Sequence, residues 1–201
     1  PPSYPFGPVI GSALPEPTVA ERPLAQRDAT TWLLPEVAVG TLVVTVDGAD
    51  GDTVSLQTAE QVVDDTVVPL TEPIGVDITV AGGPATLETL DTYGLAAITT
   101  TCDPGASITS ITVRERLHPV VGGHHFRCSD ERLDRIHDVG RRTVSLCSLD
   151  AYVDCPTREQ RAWTGDSVVH QLVDLTTNDD WSLAMHHPHL AAVPRADGML
   201  P

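Results

Sequence analysis

"DCPTREQRAWTGD", Asp154 to Asp166, gathers charge, thiol, proline and indole into one short stretch of an otherwise Val- and Thr-rich chain. Asp154 and Asp166 bracket it, Glu159 sits near its middle, and Arg158 and Arg161 lie close to that acid. By residue type alone the plain reading is a solvated cluster of ion pairs, which contributes little stability. The second reading is chemical. Paired carboxylates suit cleavage of a glycosidic bond, where one donates a proton to the departing oxygen and the other activates water or attacks the sugar. A neighbouring indole desolvates a carboxyl and offers a face to sugar C–H groups, while Arg and Asp fix hydroxyls through charge-assisted hydrogen bonds. A loop between helices is a common place for such residues.

Both flanks of the motif read as helix. Upstream, Ser129 is a candidate N-cap, and Asp130 and Glu131 suit the positive end of a helix dipole. Leu133, Ile136, Gly140, Val144 and Cys147 then recur at three- and four-residue steps, so a helix is predicted over 130–148. "AYVDCPTREQRAW" (151–163) has too few apolar positions, and a proline, so it is predicted as loop. Downstream, Thr164 or Asp166 caps a second helix carrying Val168, Val169, Leu172 and Val173. Asn178 is expected to cap a third through Leu183, Ala184 and Leu190, with Pro188 inside it and "RADG" (195–198) as its stop.

Further upstream the period changes. "VAVGTLVVTV" (37–46), "TVSLQT" (53–58), "IGVDITV" (74–80), "YGLAAITTT" (93–101) and "SITSITVRERL" (107–117) are short and β-branched, with turn residues between them. They predict an antiparallel sandwich over about 32–119. "DGADGD" (47–52) reads as a hairpin loop. Calcium held by Asp47, Asp50 and Asp52 is the weaker reading, because the spacing is not that of an EF-hand and the closing Glu is missing. Residues 1–31 are Pro-rich and lack periodicity, which suggests an extended arm, with Trp32 anchoring it or the first strand.

Composition narrows the partners. The chain of 201 residues carries a formal net charge of −16, from 19 Asp and 9 Glu against 12 Arg, with no Lys. Such an acidic surface repels nucleic acid and anionic membranes, so neither is an expected partner. Abundant Asp without Lys fits high-salt adaptation and a GC-rich genome equally well. No apolar run is long enough to span a bilayer. The four cysteines contain no C-x-x-C and read as buried free thiols. "HHPH" (186–189) lacks the i, i+4 spacing of helical metal ligands and reads as surface or pocket-rim histidines, and His124 and His125 read as turn residues. Trp181 reads first as core, second as a sugar platform, and Asp197 in "RADG" is a candidate for the mouth of a barrel. The ends, "PPSYPFGP" and "PRADGMLP", suggest a piece of a longer protein.

The order of residues in the motif adds what their types leave open. Asp-Cys-Pro-x-Arg-Glu-x-Arg-x-Trp-x-Gly-Asp resembles the signature of α-L-rhamnosidases of glycoside hydrolase family 78. "FRCSDERLDRIHDVGRRTVSLCSLDAYVDCP" before it and "PRADGML" after it are similar to that family's flanking segments, so the resemblance covers about 126–201. It implies an (α/α)6 barrel preceded by β-sandwich domains, and hydrolysis of terminal α-L-rhamnosyl groups with inversion. The expected organisation is multidomain: an extended arm (1–31), an antiparallel β-sandwich (32–123) and the first helices of an (α/α)6 barrel (124–201). The resemblance implies Glu159 as general acid, Asp154, Arg158 and Asp166 as ligands of the rhamnose hydroxyls, and Trp163 in the wall of the sugar pocket, with no metal or cofactor. Many members carry one more residue between the first Asp and the acid. Aligned on Asp154 instead, Gln160 stands where those members have the acid. The family's general base is a Glu in the second half of the barrel. The expected partners are therefore a rhamnose-containing glycoside and the remainder of that barrel, and residues 1–201 alone are expected to be inactive. Two other classes stay open: a non-catalytic carbohydrate-binding or assembly module, and an (α/α)6 glycosidase acting on another sugar.

Overall fold

The computed structural model describes residues 14–122 and 125–191. The sheet is built on β3 (Thr31–Asp47), whose Leu42, Val44 and Val46 are buried while Thr41, Val43 and Thr45 between them are half-exposed. That alternation follows from side chains pointing to opposite faces of a strand. The first part of β3 pairs with β2 (Ala25–Gln26) and β9 (Tyr93–Cys102), and its last part with β8 (Ala85–Glu88) and β10 (Ser107–Leu117). The register against β9 shifts between Leu33 and Ala38, where Pro35 has no N–H to give a ladder. β1 (Thr18–Pro23) adds to the free edge of β10, and β4 (Asp50–Ala59) and β7 (Gly75–Ala81) extend the sheet beyond β9. The order is β1-β10-β3-β9-β4-β7, with every pairing antiparallel, as expected. β5 (Gln61–Val63) and β6 (Thr66–Val68) form a separate two-stranded ribbon.

Two local expectations change. "DGADGD" is not a hairpin loop: β3 and β4 do not pair, because β9 lies between them, and the loop spans roughly 10 Å across the end of that strand. Parts of the expected arm, Thr18–Pro23 and Ala25–Gln26, are strands paired to β10 and β3. The largest core cluster contains Trp32, Leu42, Leu56, Leu95, Ile98 and Ile111. Each such large apolar side chain contributes about 1.5–3 kcal/mol on burial.

Three helices follow, α1 (Glu131–Leu146), α2 (Thr164–Thr177) and α3 (Ser182–Ala191). The N-cap of α1 is Asp130 rather than Ser129: its carboxylate accepts from the N–H of Arg132 at 3.0 Å, and Asp134 reaches back to the N–H of Cys128 at 2.9 Å. A carboxylate here also meets the positive end of the helix dipole. The N-cap of α2 is Trp163, with no side-chain cap bond. Asn178 is the C-cap of α2, not the N-cap of α3, and Asp180 accepts from the N–H of Ser182 at 2.8 Å instead. The helical periodicity of the sequence is real, yet Leu133, Ile136, Val139, Val168, Val169 and Leu172 are 48–67% exposed among the described residues. The stop "RADG", with Asp197, and His124 lie outside the described residues.

Sheet and helices are tied by apolar packing and by a buried ion pair. Val39 and Leu117 pack on Leu146 at the end of α1. Beside them the buried Glu115 accepts from Arg142 of α1 at 2.7 Å and from Arg22 of β1 at 3.1 Å. Arg142 also donates to the carbonyl of Val37 at 2.8 Å, so the carboxylate is both paired and hydrogen-bonded, as a buried charge must be. Gly94 of β9 adds a steric requirement, because a Cβ there would stand 2.6 Å from the carbonyl oxygen of Pro156.

Gly94→Val should therefore destabilise the protein by about 1–3 kcal/mol in denaturant unfolding, the usual cost of overpacking. Gly140→Ala, in α1 with nothing within 4 Å of the added carbon, should stabilise it by about 0.5–1 kcal/mol. Equal effects from the two would remove the close approach of the loop to β9 as a constraint.

Candidate functional site

The candidate residues lie on the loop between α1 and α2 and on the first turn of α2. The loop is held from the sheet side by three contacts. Pro156 lies against Gly94, Thr157 Oγ1 donates to Glu60, and Gln160 Nε2 donates to the carbonyls of Thr92 and Pro156 at 2.9 and 2.8 Å. Gln160 takes a left-handed backbone conformation, with φ of 51°, which turns the chain between Glu159 and Arg161. The loop also bonds to itself. Asp154 Oδ1 accepts from the N–H of Arg161 at 2.8 Å, the N–H of Asp154 donates to the Arg161 carbonyl at 3.0 Å, and the N–H of Glu159 donates to Cys155 Sγ at 3.3 Å.

The structure brings Arg158, Glu159 and Trp163 together. Glu159 Oε2 accepts from the indole Nε1 of Trp163 at 2.9 Å, and Oε1 lies 2.8 Å from Arg158 Nη2. Both neighbours are open to solvent, Arg158 at 62% of its side chain and Trp163 at 47%. The ion-pair reading is thus half right: Arg158 and Glu159 pair, whereas Asp154 bonds a backbone N–H. Burial alone would raise the pKa of Asp154, but the N–H of Arg161 and the groups of Cys155 outweigh it and hold the carboxyl below its ordinary 3.8. Asp166 is exposed on the first turn of α2, and its backbone carbonyl accepts from His170 Nδ1 at 3.0 Å when that nitrogen carries a proton. Asp154 and Arg158 line a cleft of about 460 Å³ together with Glu60, Thr71 and Glu72 of the sheet region.

From the helix side the loop is held by buried polar groups that sequence reading missed. Tyr152 is 1% exposed. Its hydroxyl donates to Asp174 of α2 at 2.5 Å, and its N–H donates to Nδ1 of His187 in α3 at 3.1 Å. Asn178 Nδ2 donates to the other oxygen of Asp174 at 3.0 Å. Tyr152 also stacks on His170, with ring centroids 5.8 Å apart, and packs on Leu183 and Ala184. His187 is therefore not a surface or rim histidine: it is 2% exposed, and burial, with His170 and His186 nearby, holds its pKa below 6.5. The available signals were the spacing of His170 and Asp174, four apart and so on one face of α2, and a tyrosine two residues before the motif. Trp181 is not core. It is 50% exposed, and its indole donates to the carbonyl of Asn178 at 2.7 Å. All four cysteines are free, but only Cys147 is buried, where burial, with Cys155 nearby, pushes its thiol up to about 11. No cluster of metal-ligating side chains occurs among the described residues.

This arrangement is an acid, an indole and a guanidinium presented to solvent by a loop fixed on both sides, and it suits recognition of hydroxyl-rich ligands. Residues 123–198 match the model of the bacterial α-L-rhamnosidase six-hairpin glycosidase domain. The solved structures similar to this chain include the family 78 rhamnosidase of Bacillus sp. GL1, at TM-score 0.74 and 21% identity over 90% of this chain and 19% of that one. The rhamnosidase of Klebsiella oxytoca with rhamnose bound has a TM-score of 0.73 and 20% identity, over 89% of this chain and 39% of that one. The α-L-rhamnosidase of Streptomyces avermitilis complexed with L-rhamnose has a TM-score of 0.70 and 22% identity, over 90% of this chain and 19% of that one. No curated protein matches the chain. The chain spans about a fifth to two fifths of the length of these structures. The resemblance to family 78 α-L-rhamnosidases read from the motif therefore stands: the family's domain pattern covers 123–198, and the solved enzymes share the fold across most of the chain.

Two outcomes test the helix-side anchor. Tyr152→Phe leaves one oxygen of the buried Asp174 without its donor and should cost about 1–3 kcal/mol of stability. His187 and His118 both have pKa values lowered chiefly by burial, so the unfolded chain binds protons more readily than the fold. Stability is then full above pH 6.5 and falls as pH drops through the lowered values, whereas the loss tied to Asp154 begins only as pH falls below 3.8. Unfolding free energies that are flat from pH 7 to the onset of the Asp154 loss would contradict the buried neutral histidines.

Proposed function

We propose that this chain is the sheet domain and the opening helices of an inverting α-L-rhamnosidase, acting on terminal α-L-rhamnosyl groups. The two halves of the sheet, which share β3, form the layers of a β-sandwich over 32–123. The helices over 124–201 begin an (α/α)6 barrel whose remaining hairpins cover the apolar faces of α1 and α2. Glu159 protonates the departing glycosidic oxygen. Asp154, Arg158 and Asp166 hold the rhamnose hydroxyls, and Trp163 forms part of the pocket wall. The general base comes from a later hairpin of the barrel, with a water between the two carboxyls at the roughly 6.5–9.5 Å separation of inverting enzymes.

The observation that carries this reading is the hydrogen bond from the Trp163 indole to Glu159, on a loop clamped by the sheet and by two helices. It holds the Glu159 carboxylate in one position beside the Trp163 side chain, and fixed placement of the proton donor is what general acid catalysis needs. The side chain of Gln160 is committed to Thr92 and Pro156, which favours Glu159 over position 160 for the acid. The matched domain, and the rhamnose in two of the similar structures, support the substrate class.

The test is Glu159→Gln in the full-length protein. Hydrolysis of a rhamnoside with an alkyl or sugar leaving group should fall by roughly 10²–10⁴-fold, the usual contribution of a general acid. A nitrophenyl rhamnoside, whose leaving group needs little protonation, should lose less. Rates near wild type on both substrates would remove Glu159 from the acid's role. L-rhamnose should also bind more tightly than L-fucose or D-mannose, and the reverse order would move the proposal to another sugar.

A further inference from the structure

The cleft beside Asp154 and Arg158 has two walls of different origin. The motif loop supplies Asp154, Thr157 and Arg158, and the sheet region supplies Glu60, Thr71 and Glu72. Its volume of about 460 Å³ exceeds what one sugar needs, and falls within the ~300–1,000 Å³ typical of small-molecule sites. The walls are registered to each other, because Thr157 donates to Glu60 and Gly94 admits Pro156 against β9. The charge of the cleft is mostly negative, with three carboxylates lining it against the one guanidinium of Arg158. Arg158 is paired with Glu159, which leaves the carboxylates of Glu60, Glu72 and Asp154 lining the space, and Glu72 has no ion-pair partner among the described residues. The rest of the lining is Leu70, Thr71, Ile74, Cys155 and Thr157.

We propose that the sheet side of this cleft, through Glu60, Thr71 and Glu72, is the leaving-group subsite, and that it selects a neutral, hydroxyl-rich leaving group over one bearing a carboxylate. The inference rests on the proposed rhamnosidase reading. If rhamnose is held at Asp154 and Arg158, the unit linked to it extends into the space that faces Glu60 and Glu72. Sugar hydroxyls donate to those carboxylates and exchange hydrogen bonds with Thr71. A uronic acid in the same place sets a fourth carboxylate against those of Glu60, Glu72 and Asp154, a repulsion that grows as water is excluded and weakens as salt is added. The sheet then does more than support the helices: it decides which rhamnosides are cleaved.

The experiment measures kcat/KM of the full-length protein on α-L-rhamnosyl-(1→4)-D-glucose and α-L-rhamnosyl-(1→4)-D-glucuronic acid, with nitrophenyl α-L-rhamnoside as a reference. The neutral disaccharide should be preferred by about tenfold or more at low ionic strength, and the preference should shrink several-fold in 1 M NaCl. Glu72→Gln, alone and with Glu60→Gln, should raise the glucuronic-to-glucose ratio by about tenfold. The salt series on the unmodified protein keeps the proposal testable if a variant fails to fold. Cleavage of the nitrophenyl glycoside with equal rates on the two disaccharides, or a ratio unmoved by salt or by the substitutions, overturns the subsite and leaves the rhamnosidase reading standing. No cleavage of the nitrophenyl glycoside overturns that reading, and the subsite with it.

Discussion

Everything proposed for this chain depends on one close approach, that of the motif loop to β9. The loop has few apolar side chains of its own and no regular secondary structure, so it cannot hold a shape by local propensity. It is shaped by what it leans on. Because position 94 has no Cβ, the carbonyl of Pro156 comes close to the strand, and that contact puts Gln160 within reach of Thr92 and Thr157 within reach of Glu60. From the opposite side Tyr152 is held by Asp174 and His187, buried polar groups whose hydrogen-bonding needs the tyrosine meets. A loop held on both sides keeps its carboxylates where they are placed, and preorganised groups of this kind are what a sugar site needs.

The same contacts make the sheet and the helices mutually dependent. Glu115 is buried in the sheet with its charge balanced by Arg142 from α1 and Arg22 from β1. Removing either arginine leaves part of a buried carboxylate uncompensated, which is the costly way to break such a group. The acid–indole pair, by contrast, lies near the surface, and Arg158 beside it is mostly exposed. The anchoring is buried and the candidate residues are presented to solvent, a division expected where a rigid scaffold carries a binding loop.

The sequence made the regular elements legible, because period two and period three-to-four are local signals. The antiparallel strands from 37 onward, the three helices and the loop over 151–163 all follow from them. What it hid depends on contacts between distant residues. Thr18–Gln26 looked unpatterned because edge strands need no alternating apolar face. "DGADGD" looked like a hairpin because nothing local shows that β9 inserts between its two strands. Ser129 and Asp130 are equally good caps by type, and side-chain geometry chose the second. Among the candidate residues, the cluster of Arg158, Glu159 and Trp163 follows from i, i+1 and i, i+4 proximity and was readable. The anchors Gly94, Gln160 and His187 were not, since a glycine in a strand or a histidine in "HHPH" has no local mark of what it meets.

Whether this loop receives a sugar decides the role of its carboxylates. An NMR titration of the isotope-labelled full-length protein with L-rhamnose, following backbone amides together with the Trp163 indole N–H, addresses that directly. Saturable shifts are expected at Asp154, Arg158, Glu159, Trp163 and Asp166, with the indole signal moving most as the ligand reaches the bond between Trp163 and Glu159. Saturable shifts confined to other parts of the protein, or none at a concentration of rhamnose that inhibits hydrolysis, would contradict sugar binding by this loop.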